Sequence, residues 1–115
     1  MSGPYIHQLS GSYIQQLRDR IDFIEFKQNI LFLKPPHHKA SVFAQLSLDE
    51  FIKIRELTYM YSYRIENNER LTISDYEKEL LKICSPLRSY PSYSTLIAKA
   101  IMNEDTFNKL FQYNN

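Results

Sequence analysis

The sequence predicts an all-α fold: a single-domain bundle of four or five helices with proline-containing corners. Apolar residues recur at spacings of three, four and seven through most of the chain, the period of a helix with one buried face. A helix-start pattern, in which a small polar capping residue lies between two apolar ones, appears at Leu9–Ile14, Leu46–Phe51, Leu71–Tyr76 and Met102–Phe107. Only two glycines occur in 115 residues, which disfavours turn-rich β architectures and phosphate-cradling loops alike. The alternative is an α+β fold with one small hairpin.

Residues 1–9 contain Gly3-Pro4 and read as an irregular N-terminal arm. Ser10 is the first expected cap, opening a helix over 11–33. Along it Ile14, Leu17, Ile21, Ile24 and Leu31 form one apolar stripe, with Arg18, Asp19, Asp22 and Glu25 largely off it. Phe23, Phe26, Ile30 and Leu33 widen the apolar surface, so the second half of the helix must be buried on more than one side or meet a partner. A hairpin of 23–26 with 30–33 is the competing reading, and the lack of glycine at Lys27-Gln28-Asn29 counts against it. Pro35-Pro36 stops the helix and makes a rigid corner carrying His37, His38 and Lys39. Residues 40–45 then form a short helical turn or an extended lead-in anchored by Val42 and Phe43.

The helix over 48–66 has the clearest start. Ser47 and Glu50 have the spacing of a capping box, and Leu46 with Phe51 that of a hydrophobic staple. Tyr59–Ile65 also alternates like a strand and could pair with 71–73, but the capped segment leads into it without glycine or proline. Asn67-Asn68 supplies the stop. Thr72 caps a helix over 73–84, which ends at Ser85-Pro86. Ser89–Ser92 is a second rigid link. A helix over 92–102 with small residues Ala98 and Ala100 follows, then one over 104–112 capped by Asn103, and a frayed tail at 113–115.

Length sets the expectation of one domain over residues 1–115. The formal net charge of +1 gives no global field to draw nucleic acid or an anionic membrane. The lone Cys84 forms no internal disulfide, and the first residues lack the basic and apolar regions of a secretory signal, so the expected location is cytoplasmic. The run Ile21–Leu33 holds too many polar residues to cross a membrane.

Chemistry is sparse. His37 and His38 on a rigid turn suit metal binding or proton transfer in type, yet His7 and Cys84 add no ligand at a recognised spacing. No metal or cofactor is assigned. Cys84 lacks an adjacent base, and the carboxylates Asp49, Glu50, Asp75, Glu77, Glu104 and Asp105 crowd helix N-termini, where the helix dipole explains them. No catalytic constellation results, and the chain reads as a non-enzyme. Lys34, Lys39, Lys53, Arg55, Arg64 and Arg70 are interrupted by acidic residues, which disfavours nucleic acid.

Nine tyrosines and seven phenylalanines point elsewhere. Tyr59, Tyr61 and Tyr63 cannot share one helix face, because alternate residues diverge by about 200°. The surplus favours a protein-binding domain, a regulator, inhibitor or adaptor, that meets a protein partner or a second copy of itself. The expected contacts are Phe23, Phe26, Tyr59, Tyr61 and Tyr63, with His37 and His38 at the rim. The rival functions are a nucleic-acid-binding module and a small enzyme using His37 or His38. Far-ultraviolet circular dichroism of the purified chain should show the double minimum of a mainly helical protein; a β-dominated spectrum overturns the fold class.

Overall fold

The computed structural model describes the backbone of residues 3–33 and 41–112, with side chains from Ser12 to Leu33 and from Val42 to Gln112. Six α-helices and one 3-10 turn follow one another: α1 (Gly3–Leu33), α2 (Ser41–Ala44), α3 (Leu48–Glu66), α4 (Ile73–Ile83), the turn Ser85–Ser89, α5 (Tyr93–Ile101) and α6 (Glu104–Gln112). The described residues contain no strand, so neither hairpin forms. The helix count exceeds four or five because the lead-in to α3 closes one helical turn as α2.

α3 begins where its cap signal places it. Ser47 Oγ accepts the Glu50 N–H at 3.1 Å, and Glu50 Oε1 accepts the Ser47 N–H at 2.9 Å, so two orphan donors are satisfied reciprocally. Leu46 and Phe51 are both buried beside this box. The buried face then continues through Ile54, Thr58, Tyr61 and Ile65 at helical spacing. At its far end Asn68 adopts φ 68°, a left-handed conformation that asparagine tolerates well. The Glu69 N–H reaches Arg64 O and the Asn68 N–H reaches Ile65 O, both at 3.0 Å, closing a Schellman stop.

The other helices pack around α3. Thr72 Oγ1 accepts the Asp75 N–H at 3.1 Å to start α4, whose Tyr76 and Leu80 are fully buried against α3. Thr58 Oγ1 and the Tyr76 hydroxyl hydrogen-bond at 2.8 Å inside this interface. Burial pushes the Tyr76 hydroxyl far above the usual phenol range. α4 ends at Ile83, one residue before the expected 84, and Pro86 falls in the first turn of the 3-10 segment that buries Leu87. Phe43 of α2 meets Tyr90 edge-on at 5.1 Å, closing that end of the core. Ser94 Oγ donates to Glu77 Oε2 at 2.6 Å between α5 and α4. Asn103 Oδ1 accepts the Thr106 N–H at 2.8 Å to cap α6.

α1 departs most from expectation. It starts at Gly3, so residues 3–9 are helical instead of an irregular arm, and position 10 lies inside the helix. Pro4 sits in the first turn, where its missing N–H has no intrahelical acceptor to lose and its fixed φ suits the helix. Gly11 costs about 1 kcal/mol relative to alanine without breaking it.

Replacing Ser47 with alanine should cost about 1 kcal/mol, since it leaves a first-turn N–H unpaired. Phe51→Ala should cost more, about 3 kcal/mol or above, because the ring is 1% exposed and packs on Phe23 and Phe26. Urea unfolding midpoints of the two variants check both values; parent-like midpoints in both show that α3 does not depend on this start.

Candidate functional site

α1 has two faces. At 100° per residue, Asp19, Asp22, Phe23, Phe26 and Ile30 lie on one side, while Ile14, Leu17, Ile21, Ile24 and Leu31 lie about 170° around the helix. The first set meets the body. Phe26 and Ile30 are buried, and Phe23 stacks on Phe51 with ring centroids 5.1 Å apart. Asn29 Nδ2 reaches Ala100 O of α5 at 3.4 Å. The second set stands in solvent: Ile14 is 48% exposed, Leu17 39%, Ile21 54%, Ile24 57% and Leu31 61%. Tyr13 and Phe32 flank this stripe and are exposed as well.

Every side chain from Ser12 to Arg18 is exposed, so this stretch of α1 stands clear of the body. Residues 3–18 span about 24 Å at 1.5 Å per residue. The molecule is accordingly elongated, 57 by 36 by 24 Å, with a radius of gyration of 16.2 Å against about 13 Å for a compact domain of this length.

One charged group locks the buried side. Arg55 of α3 places Nη1 at 2.9 Å from Asp19 Oδ1 and 3.1 Å from Asp22 Oδ2, and Nε at 3.0 Å from Glu56 Oε2. Its guanidinium also lies 5.6 Å from the Phe51 ring centre. The hydrogen bond from Arg55 holds the Asp19 carboxyl below the usual aspartate range. Burial pulls the Arg55 guanidinium down, but Asp19 and Glu56 more than offset this and leave it above its ordinary value.

A cleft of about 260 Å³ opens beside this lock, lined among others by Glu25, Asn29, Arg55, Tyr59 and Ile101. Its cation Arg55 is already committed to three carboxylates, and Glu25 is the lining carboxylate without an ion pair among the described residues.

Of the residues singled out in the sequence, Phe26 and Tyr61 are core, 2% and 4% exposed. Phe23 is half-buried in the α1–α3 interface. Tyr59 and Tyr63 are exposed, 51% and 69%, on the outer side of α3. His37 and His38 lie outside the described residues, as do Pro35-Pro36. The reversal on α1 has a physical cause. The phenylalanines offer the larger apolar area and the aromatic contacts with Phe51, so they take the core, and the aliphatic stripe is left outside.

The aliphatic residues are legible as a stripe at spacings of three, four, three and seven, the signal that they suit another helix.

Cys84 is buried. Burial pushes its thiol up, with the Glu50 carboxylate acting in the same direction, the opposite of what a nucleophilic cysteine requires. Among the described residues no group of three or more His, Cys, Asp and Glu side chains is placed to hold a metal ion. No helix among them is long and apolar enough to cross a membrane. Of the basic residues, Arg55 and Arg64 are engaged with carboxylates, Lys82 pairs with Glu79, and Lys27 lies 4.1 Å over the Phe23 ring. No protein-family model, curated protein or solved structure matches this chain.

Removing the lock by Arg55→Ala should destabilise the fold by on the order of 2 kcal/mol, discounted because Asp22 and Glu56 remain solvated. Asp19 contributes stability at pH values above its unfolded pKa of about 3.9 and loses it as pH falls through that range to the depressed folded value. The stability gap between parent and Asp19→Asn is therefore expected at pH 7 and pH 5 and should narrow as pH falls below the ordinary aspartate range. Urea midpoints at pH 7, pH 5 and pH 3 test this; a gap unchanged at pH 3 removes Asp19 from the lock.

Proposed function

We propose that this chain is a protein-binding domain whose contact surface is the solvent face of α1, flanked by Tyr59 and Tyr63 of α3. The observation that carries the reading is the exposed aliphatic stripe Ile14–Leu17–Ile21–Ile24–Leu31, interrupted by Gln28, on a helix whose opposite face already holds it to the body. The stripe leaves on the order of 500 Å² of apolar side chain in water, the size reached by the largest patches of monomeric proteins, which are often functional. Tyr59 adjoins one flank of this face through the cleft it shares with Glu25. Tyrosine suits such a rim, with a broad apolar ring and a hydroxyl that stays hydrated.

Because α1 is anchored by Phe23, Phe26, Ile30 and Arg55, the stripe is presented on a preformed helix, and little conformational entropy is lost when it is covered. Binding through an apolar helix face is the recognition mode this geometry suits, read as anchors at i, i+3, i+7 and i+10. A role as regulator, inhibitor or adaptor belongs to the same proposal.

A photo-crosslinking residue at Ile21, introduced into the chain in its source cells, should give discrete covalent adducts with protein. The same residue at Lys53, on the exposed side of α3, should give few. Absence of adducts at Ile21, or equal yields at both positions, overturns this surface as the site.

A further inference from the structure

We infer that the occupant of the α1 face is a second copy of this chain, joined in a parallel, in-register two-helix coiled coil over residues 13–32. This rests on the reading of α1 as the binding surface and goes beyond it by naming the partner and its orientation.

The residues 14, 17, 21, 24, 28 and 31 alternate by three and four without exception, which is the a/d seam of a heptad repeat. A helix that only covers a globular core shows a wider and less regular stripe. Here the wide face, with Phe23, Phe26 and Ile30, is the one on the body, and the narrow a/d seam is the one in water. Ile14 and Ile21 occupy a, and Leu17 and Leu31 occupy d, the side-chain choice that favours two parallel strands. Ile24 at d is the departure.

Area is the second argument. The five exposed aliphatics supply on the order of 500 Å² per chain, and Tyr13 with the stems of Arg18 and Arg20 brings the total toward the ~800 Å² that each partner contributes to an interface of standard size. The side of α1 that holds the body lies about 170° from the seam, so the two bodies hang outward from the paired helices.

Charge and polarity fix the orientation. In a parallel pair, Arg20 at g faces Glu25 at e of the other helix, twice by symmetry. Neither side chain has an ion-pair partner among the described residues of its own chain. An antiparallel pair that stacks Ile21 on Ile24 sets Arg20 beside Lys27 as well as Arg18 beside Glu25, so a repulsive pair cancels the attractive one. The other antiparallel register sets Arg18 against Arg18 and Arg20 against Arg20.

Gln28 at a makes the same choice. In register and parallel, it meets the other Gln28, and the two amides satisfy each other. In the antiparallel register that stacks Ile21 on Ile24, it is buried against Leu17, where its amide loses water without gaining a partner. A single polar residue at an a position is a known way to specify register at some cost in stability.

Sedimentation equilibrium of the purified chain at micromolar concentration should find a dimer. Ile21→Asp should raise the dissociation constant on the order of a hundredfold or more, since it puts two carboxylates into the seam. Circular dichroism of that variant should stay helical, because Ile21 makes no part of the buried core. Arg20→Glu should weaken the dimer about threefold to tenfold, and the swap Arg20→Glu with Glu25→Arg should restore it. In a Cys84→Ser background, Leu17→Cys should close a disulfide between equivalent positions under mild oxidation, which requires Cα atoms within about 7 Å. A monomer at these concentrations, a dimer indifferent to Ile21→Asp, or a dimer that forms no such disulfide overturns the inference. Adducts at Ile21 with a foreign protein alone also overturn it, while leaving α1 as the binding surface.

Discussion

The reciprocal hydrogen bonds of Ser47 and Glu50 fix the residue at which α3 begins, and with it the rotational phase of the helix around which the body is packed. A start displaced by one residue would turn every side chain of α3 by about 100° and take Phe51, Ile54, Thr58, Tyr61 and Ile65 away from their neighbours. The far end is set with equal definition by the left-handed Asn68. Between these stops the buried face has a single register, and the remaining helices choose their positions against it.

Polar contacts then choose the partner for each face. Arg55 binds the acidic pair of α1, Thr58 takes the Tyr76 hydroxyl of α4, and Ser94 of α5 takes Glu77 of α4. Apolar packing alone would tolerate sliding of one helix along another, since Leu and Ile contacts are non-directional. Each hydrogen bond is short-ranged and costs a buried polar group if it is missed, so the correct docking is separated in energy from its neighbours.

Much of this order was readable in the residues. The caps Ser47, Thr72 and Asn103 act through local geometry, and the helices after residue 47 begin and end within one or two positions of the sequence reading. Local signals failed where the outcome was a competition. Nothing in the pattern of α1 says which of its two apolar faces the body takes, because that depends on Phe51 and Arg55, which lie about 30 residues downstream. For the same reason Phe26 and Tyr61 looked available for contact and are core. The start at Gly3 was missed because Gly-Pro reads as a breaker in isolation, whereas proline at the head of a helix forfeits nothing. His37 and His38 lie outside the described residues, so their part in the surface stays a reading of the sequence.

The fully buried hydroxyl of Tyr76 sets a limit at the alkaline end of the scale. Its ionisation in the folded chain is pushed up by burial, whereas an unfolded chain releases the same proton near pH 10. Folding therefore retains a proton that the unfolded state gives up, and stability that is complete below pH 10 drains away as the solution becomes more basic. With no tryptophan in the chain, absorbance near 295 nm reports tyrosinate without interference from indole. Burial favours the protonated Tyr76 while α3 and α4 stay packed and releases that constraint when they come apart. A phenol placed to pin two helices thus also records, in its own spectrum, the moment at which they separate.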